Sequence, residues 1–230
     1  LVSRRLGLKD TDWWIERLYD FVTGLGATTV RTPVSRTVID VNRDPSGRSL
    51  YPGQATTGLV PVETFDGEPL YAGAPPSPEE IEGRRRHYFD PYHAALTGEI
   101  GRLRGLHDNI VLYDCHSIRS AVPRLFPGTL PVFNIGTNGG ASCAPALERA
   151  VTLACAATGL SLVVNGRFRG GWITRHYGRP DEGVHAIQME LAQSFYMDED
   201  APERYPEACT QAAVDALRSV MAAVAVAPLA

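Results

Sequence analysis

Val111-Leu112-Tyr113-Asp114-Cys115-His116-Ser117 is a short apolar run that ends in an acid, a histidine and a serine. Such a run reads as a buried strand whose carboxyl end opens into a site. Side chains alternate along a strand, so Leu112, Asp114 and His116 share one face, and Val111, Tyr113 and Cys115 share the other. A histidine at a strand terminus can ligate a metal or act as a general base, and a carboxylate two residues earlier can orient its ring or sit near the same ion. Taken alone, an Asp-x-His pair is more often a satisfied structural histidine, and the rest of the chain has to decide. Adjacent strand residues face opposite ways, which weighs against Cys115 and His116 as a thiol and imidazole dyad.

Three other stretches carry chemistry. In 184–190, period two sets Gln188 and Glu190 opposite Ile187 and Met189, and a glutamate at such a strand end needs a partner or a task. Asn42-Arg43 ends a strand-like run before a Pro/Gly-rich loop, and a guanidinium there suits a carboxylate through two parallel hydrogen bonds. The run 166–178 mixes glycine and aromatics with Arg167, Arg169 and Arg175, which suggests a loop that closes over an anion. The glycine-rich turn 136–140 lacks both the P-loop lysine and the dinucleotide spacing, so it is a poor phosphate site.

Composition narrows the classes. The 230 residues suit one substantial domain, and a net charge of −4 with scattered basic residues argues against a nucleic-acid partner. Arg84-Arg85-Arg86 follows Glu79, Glu80 and Glu82 and reads as a solvated helix face with local ion pairs. Cys115, Cys143, Cys155 and Cys209 show no paired metal spacing, no secretory leader is apparent, and no apolar run is long enough to span a membrane. A cytoplasmic protein without a membrane partner is expected, its oligomeric state open.

The elements that must position these residues follow from periodicity. Residues 13–22 read as an amphipathic helix closed by Gly24-Leu25-Gly26, with Asp10 or Asp12 serving as its N-cap or as a ligand. Strands are expected at 27–34 and 37–41, a long excursion at 46–78, and a helix from Pro78 to about Leu103. Beyond 111–117 come strands at 132–136, 160–165 and 184–190, helices at 144–157 and 207–224, and helical chain from Leu191 onward. The alternation indicates an α/β three-layer sandwich, its mixed and mostly parallel sheet covered by helices on both faces.

The ordered set of Asp12 leading its helix, 35–43 (Ser-Arg-Thr-Val-Ile-Asp-Val-Asn-Arg), Tyr113-Asp114-Cys115-His116-Ser117, 165–178 and Gln188-Met189-Glu190-Leu191 resembles the N-formylglutamate amidohydrolase family over nearly the whole chain. The resemblance implies a single amidohydrolase domain over 1–230, related in fold to zinc carboxypeptidases and aspartoacylase-type amidases. It also implies hydrolysis of N-formyl-L-glutamate to glutamate and formate late in histidine breakdown. The small-molecule substrate would be N-formylglutamate or a similar N-acyl amino acid. By the same resemblance His116 and Asp12 match ligands of Zn2+ or another divalent metal, with Asp114 orienting the imidazole. Glu190 matches the catalytic carboxylate. Asn42 and Arg43 match the pair that grips the substrate carboxylate, while Arg36, Arg169 and Arg175 are candidates for a second one. The family's upstream His-x-Gly element, which would complete the metal site, is expected to be missing from this chain. A related amidase of different acyl specificity and a non-catalytic carboxylate-binding homologue are the alternatives.

Overall fold

The computed structural model describes residues 1–229 and the side chains of all of them except 208 and 209, so Cys209 lies outside the description. Four strands, β1 (Ile110–Ile118), β2 (Phe133–Gly136), β3 (Leu162–Val164) and β4 (Val184–Ala192), form one sheet in the order β1-β4-β2-β3. β1 is parallel to β4 and β2 to β3, while β4 and β2 are antiparallel, so the expected mixed sheet is present. The helices are α1 (Arg4–Leu8), α2 (Ile15–Leu18), α3 (Pro78–Arg84), α4 (Asp90–Arg104), α5 (Pro145–Ala157), α6 (Trp172–Tyr177) and α7 (Glu207–Ala225).

Strand alternation divides the sheet as the apolar pattern dictates. Phe133 and Ile135 of β2 and Ile187, Met189 and Leu191 of β4 join Leu147 and Val151 of α5, Leu217 and Val220 of α7, and Ile15 and Leu18 of α2 in one buried core. Each such side chain, removed from water, contributes roughly 2 kcal/mol. The opposite face is covered by α4 and α6, which lie against β1. That face carries the polar residues. Parallel register sets Asp114 opposite Gln188 and His116 opposite Glu190, so all four side chains occupy one surface of two neighbouring strands.

Several expectations need correction. Neither 27–34 nor 37–41 forms a strand; the chain there is irregular or turns. Short polar side chains compete with the ladder: Ser35 Oγ accepts from Thr37 N at 3.2 Å and Asp40 Oδ1 from Asn42 N at 3.0 Å. The expected helix over 13–22 is broken into α2 and a 3-10 turn at Asp20–Leu25, closed by Gly26 at φ 77°. Neither Asp10 nor Asp12 caps it; Trp14, at φ 62°, occupies the N-cap. Its indole Nε1 donates to Pro202 O at 2.8 Å, a distant anchor that local periodicity does not report. The 166–178 run is helical over α6, and β4 continues to Ala192 where helix was expected.

Other expectations hold. Ser77 caps α3 with Pro78 in its first turn, and Arg84, Arg85 and Arg86 pair with Glu80 and Glu82 on that helix face. The excursion at 46–78 is irregular apart from an isolated bridge between Glu63 and Pro69. No helix among the described residues is long and apolar enough to cross a membrane.

Candidate active site

The site is built first from the polar face of β1 and β4. His116 Nε2 lies 2.9 Å from Asp114 Oδ1, and Gln188 Nε2 donates to Glu190 Oε2 at 3.3 Å. Asn42 joins the two strands: its Nδ2 donates to Asp114 Oδ2 at 3.1 Å and lies 2.9 Å from His116 Nε2, while its Oδ1 accepts from Ile173 N at 2.8 Å. Gln188 Oε1 accepts from Gly171 N at 2.7 Å. The N-cap amide of Gly171 and the Ile173 amide in the first turn of α6 are therefore used to fix two site amides.

Asp12 arrives from the loop before α2. Its Oδ1 accepts from Ser117 N at 2.8 Å and faces His116 Nδ1 at 3.7 Å. The carbonyls on either side of it are also held, Thr11 O by Gln193 Nε2 at 2.9 Å and Trp13 O by Tyr196 OH at 2.7 Å. Gln193 and Tyr196 follow directly on β4, so the segment carrying Glu190 also holds the loop carrying Asp12. Both are buried, as is Asn134, whose Nδ2 donates to the backbone carbonyl of Glu190 at 3.1 Å. These three were not visible as site residues in the sequence. No periodic signal points to Gln193: strand alternation from Gln188 and Glu190 leads to Ala192, and Gln193 lies in the 3-10 turn that follows β4.

Charges are strongly coupled here. Burial alone would lower the His116 pKa, but the carboxylates of Asp114 and Asp12 raise it well above the usual histidine range. Asp12 is held below its usual value, the effect of burial being outweighed by His116, Arg36 and the Ser117 amide. Glu190 goes the other way: burial, with Asp12 and Asp114, pushes it up to about 7 against the pull of His116 and Arg36. A carboxyl poised near neutrality can take and return a proton.

The 35–43 turn supplies the cations. Arg36 Nη2 donates to Asp40 Oδ2 at 2.5 Å, and Arg43 Nε lies 3.5 Å from the same oxygen. Arg36 also sits within the field of Asp12, Glu190 and Asp10, which keeps it charged despite burial. Burial would raise Asp40, yet Arg36 and Arg43 bring it down to about 2. A depressed carboxylate stabilises the fold above its unfolded pKa, so this contribution is present at pH 5 and fades as pH falls toward 2. Asp40→Asn should destabilise the protein at pH 7 by on the order of 2 kcal/mol. It should also flatten the loss of stability between pH 5 and 2, as measured by urea unfolding; an unchanged acid limb would contradict this role for Asp40.

The glycine-rich run packs against that turn. Gly136 closes on Gly170, and a Cβ on Gly136 would stand 2.5 Å from Gly170 N. Tyr51, from the long excursion, donates from its OH to Gly170 O at 3.0 Å and accepts from Arg169 N at 3.2 Å. The Arg169 side chain is exposed, whereas Arg175 turns its Nε onto Gly170 O at 2.8 Å and lies 5.0 Å from the Tyr51 ring. The 136–140 turn has no free amide cradle for a phosphate: Thr137 N and Gly139 N donate to Asn165 Oδ1, Asn138 N to Arg169 O and Gly140 N to Thr137 O.

As donors for a divalent metal, His116 Nδ1 and Asp12 Oδ1 face one another at 3.7 Å, close to the roughly 3.3 Å between neighbouring tetrahedral zinc ligands. The imidazole is backed by Asp114, as the ring of a ligating histidine usually is. These two residues fit. Among the described residues, however, no three His, Cys, Asp or Glu side chains converge on one point. His176 is exposed and stacked on Trp172. His185 accepts from Ala144 N through Nδ1 at 3.1 Å and faces Asn109 through Nε2 at 3.1 Å, a structural role ahead of α5. Cys115 lies with the apolar core, where burial pushes its thiol up, so it is no nucleophile for His116.

Residues 1–197 match the family model described as N-formylglutamate amidohydrolase. An N-formylglutamate deformylase of Pseudomonas aeruginosa is 49% identical over 223 residues, covering 96% of this chain and 84% of that protein. One of Pseudomonas putida is 49% identical over 225 residues, 97% of this chain and 84% of that protein. In fold, the chain is similar to the crystal structure of an N-formylglutamate amidohydrolase from Ralstonia eutropha JMP134, with a TM-score of 0.82 at 22% identity over 98% of this chain and 87% of that one. A gene product of Agrobacterium tumefaciens matches with a TM-score of 0.54 at 17% identity over 81% of this chain and 69% of that one.

Proposed function

The chain belongs to the N-formylglutamate amidohydrolase family, and from that premise we propose that it hydrolyses the formyl amide of N-formyl-L-glutamate, giving L-glutamate and formate. The observation that carries this reading is the pairing of β1 with β4, which sets Glu190 beside the Asp12 and His116 corner with its pKa raised to about 7.

A formamide resists water because water is a poor nucleophile and the tetrahedral oxyanion is unstable. A zinc or other divalent ion held by His116 and Asp12 would acidify water and polarise the formyl carbonyl. The remaining work falls to the chain. Asp114 fixes the His116 ring, and Asn42 fixes Asp114. Glu190 removes the proton from the attacking water and returns it to the nitrogen of the departing glutamate. Arg36, charged and close to Glu190 and Asp12, is suited to stabilise the developing oxyanion. Arg43, at the outer end of the same turn, receives the substrate's α-carboxylate. We read the fold as a zinc-carboxypeptidase-like lineage, a reading supported by this acid-x-His strand end and Asn-Arg pair. We also place the activity in the cytoplasm, where the free thiols of Cys115, Cys143 and Cys155 would stay reduced.

Formate release from N-formyl-L-glutamate by the metal-loaded protein tests the reading directly. No formate from folded, metal-loaded protein would overturn it, and faster release of acetate from N-acetyl-L-glutamate would redirect it to another acyl group. Arg43→Gln is expected to raise KM for N-formyl-L-glutamate about 30-fold while kcat stays within about threefold, since the lost contact is made before and during the reaction alike. A fall confined to kcat would remove Arg43 from substrate binding.

A further inference from the structure

A substrate with two carboxylates needs two cationic receivers, and Arg43 is only one of them. Arg36 is committed to Asp40 and the acidic centre, the Arg169 side chain is exposed, and Arg175 is turned onto Gly170 and the Tyr51 ring. Arg167 differs. It is partly buried and in no ion pair among the described residues. Its guanidinium is anchored by two backbone carbonyls, Nε to Leu125 O at 2.9 Å and Nη2 to Ala55 O at 2.8 Å.

The Ala55 anchor ties Arg167 to Arg43. Arg43 Nε donates to Thr57 O at 3.1 Å and its Nη2 to Thr57 Oγ1 at 3.2 Å. The two guanidiniums are thus docked on carbonyls two residues apart, and two residues of backbone span at most about 7 Å. The carboxyl carbons of a glutamate, four bonds apart, are separated by about 5 Å when extended. Both cations lie within each other's field and Arg167 within that of Glu190: burial, then Arg43, lowers the Arg167 pKa, while Tyr51 and Glu190 raise it. Arg43 has Asp40 at 3.5 Å on one side, while no carboxylate pairs with Arg167 among the described residues, and two neighbouring cations served by one carboxylate favour a further anionic ligand.

We propose that Arg167, held in step with Arg43 by residues 55–57, receives the side-chain carboxylate of the substrate and sets the preference for acidic over neutral N-acyl amino acids. This deepens the deformylase reading and rests on it for the identity of the reaction. Tyr51, 5.2 Å from the Arg167 guanidinium and bonded to the glycine loop, holds the long excursion in the position that aligns the pair.

The test compares N-formyl-L-glutamate with N-formyl-L-glutamine, equal in shape and differing in charge, and in parallel measures equilibrium binding of L-glutamate and L-glutamine. Arg167→Gln should raise KM for the acid about 30-fold with kcat nearly unchanged, and leave the amide's kcat/KM within about threefold, so that the preference collapses. Arg167→Lys, which keeps a charge and the apolar stem, should retain the preference with a KM raised several-fold. Proportional losses on both substrates in the two variants, or an unchanged ratio, would overturn the assignment. Wild-type protein that binds glutamate over glutamine but releases no formate, with the binding preference lost in Arg167→Gln, would sustain the Arg167 role and sink the deformylase reading instead.

Discussion

Glu190→Gln is expected to lower kcat for N-formyl-L-glutamate about 1,000-fold while KM stays within about threefold of wild type. The amide has the size of the carboxyl and can still meet Gln188, so packing of β4 against β1 is preserved. What it loses is basicity. Burial, with Asp12 and Asp114, raises the Glu190 carboxyl to about 7 against the pull of His116 and Arg36, leaving a group that can take a proton from water and return it to nitrogen without a large penalty on either step. Glutamine does neither. Initial-rate kinetics beside thermal unfolding check the point: a folded variant with wild-type kcat would move the proton chemistry to another group.

Gly171→Ala should be nearly as damaging, by a different route. The Gly171 φ is −81°, so an alanine there meets no backbone strain. A Cβ at that position would nevertheless overlap the Asn42 side chain. Asn42 would have to leave, taking with it the bond from Ile173 and the bond to Asp114, and the His116 ring would lose its lateral support. We expect a loss of about 3 kcal/mol in stability from overpacking and broken buried hydrogen bonds. A fall of more than about 100-fold in kcat/KM should accompany it, since small displacements of catalytic groups are costly. Urea unfolding and kinetics on the same preparation measure both, and near-normal kcat/KM would show that Asn42 is dispensable to the His116 geometry.

How much of this was legible in the sequence depended on whether the deciding interaction was local. The end of β1 was legible because an apolar run that turns abruptly polar has few solutions, and alternation put Asp114 and His116 together. Glu190 followed from the same rule on β4. Residues 37–41 misled because Thr-Val-Ile-Asp-Val has strand composition, while its fate is decided by Asp40 gathering an amide and two arginines that only tertiary folding assembles. Asp12 looked like a helix cap for a similar reason; its acceptor is spent on Ser117, 105 residues away. Arg167, Arg169 and Arg175 are equivalent as text. They separate once the carbonyls and rings that each one meets are known.

On the proposed reading, proton chemistry and substrate choice rest on different kinds of chain within one molecule. Glu190, His116 and Asp114 stand on paired strands that also carry the core, whereas Arg43, Arg167 and the 55–57 backbone lie in turns and loops. Strand residues are constrained by everything packed beneath them; loop residues are not. Selection, natural or in the laboratory, would on that reading alter substrate choice through position 167 and the 55–57 backbone while leaving the paired strands and the core beneath them in place.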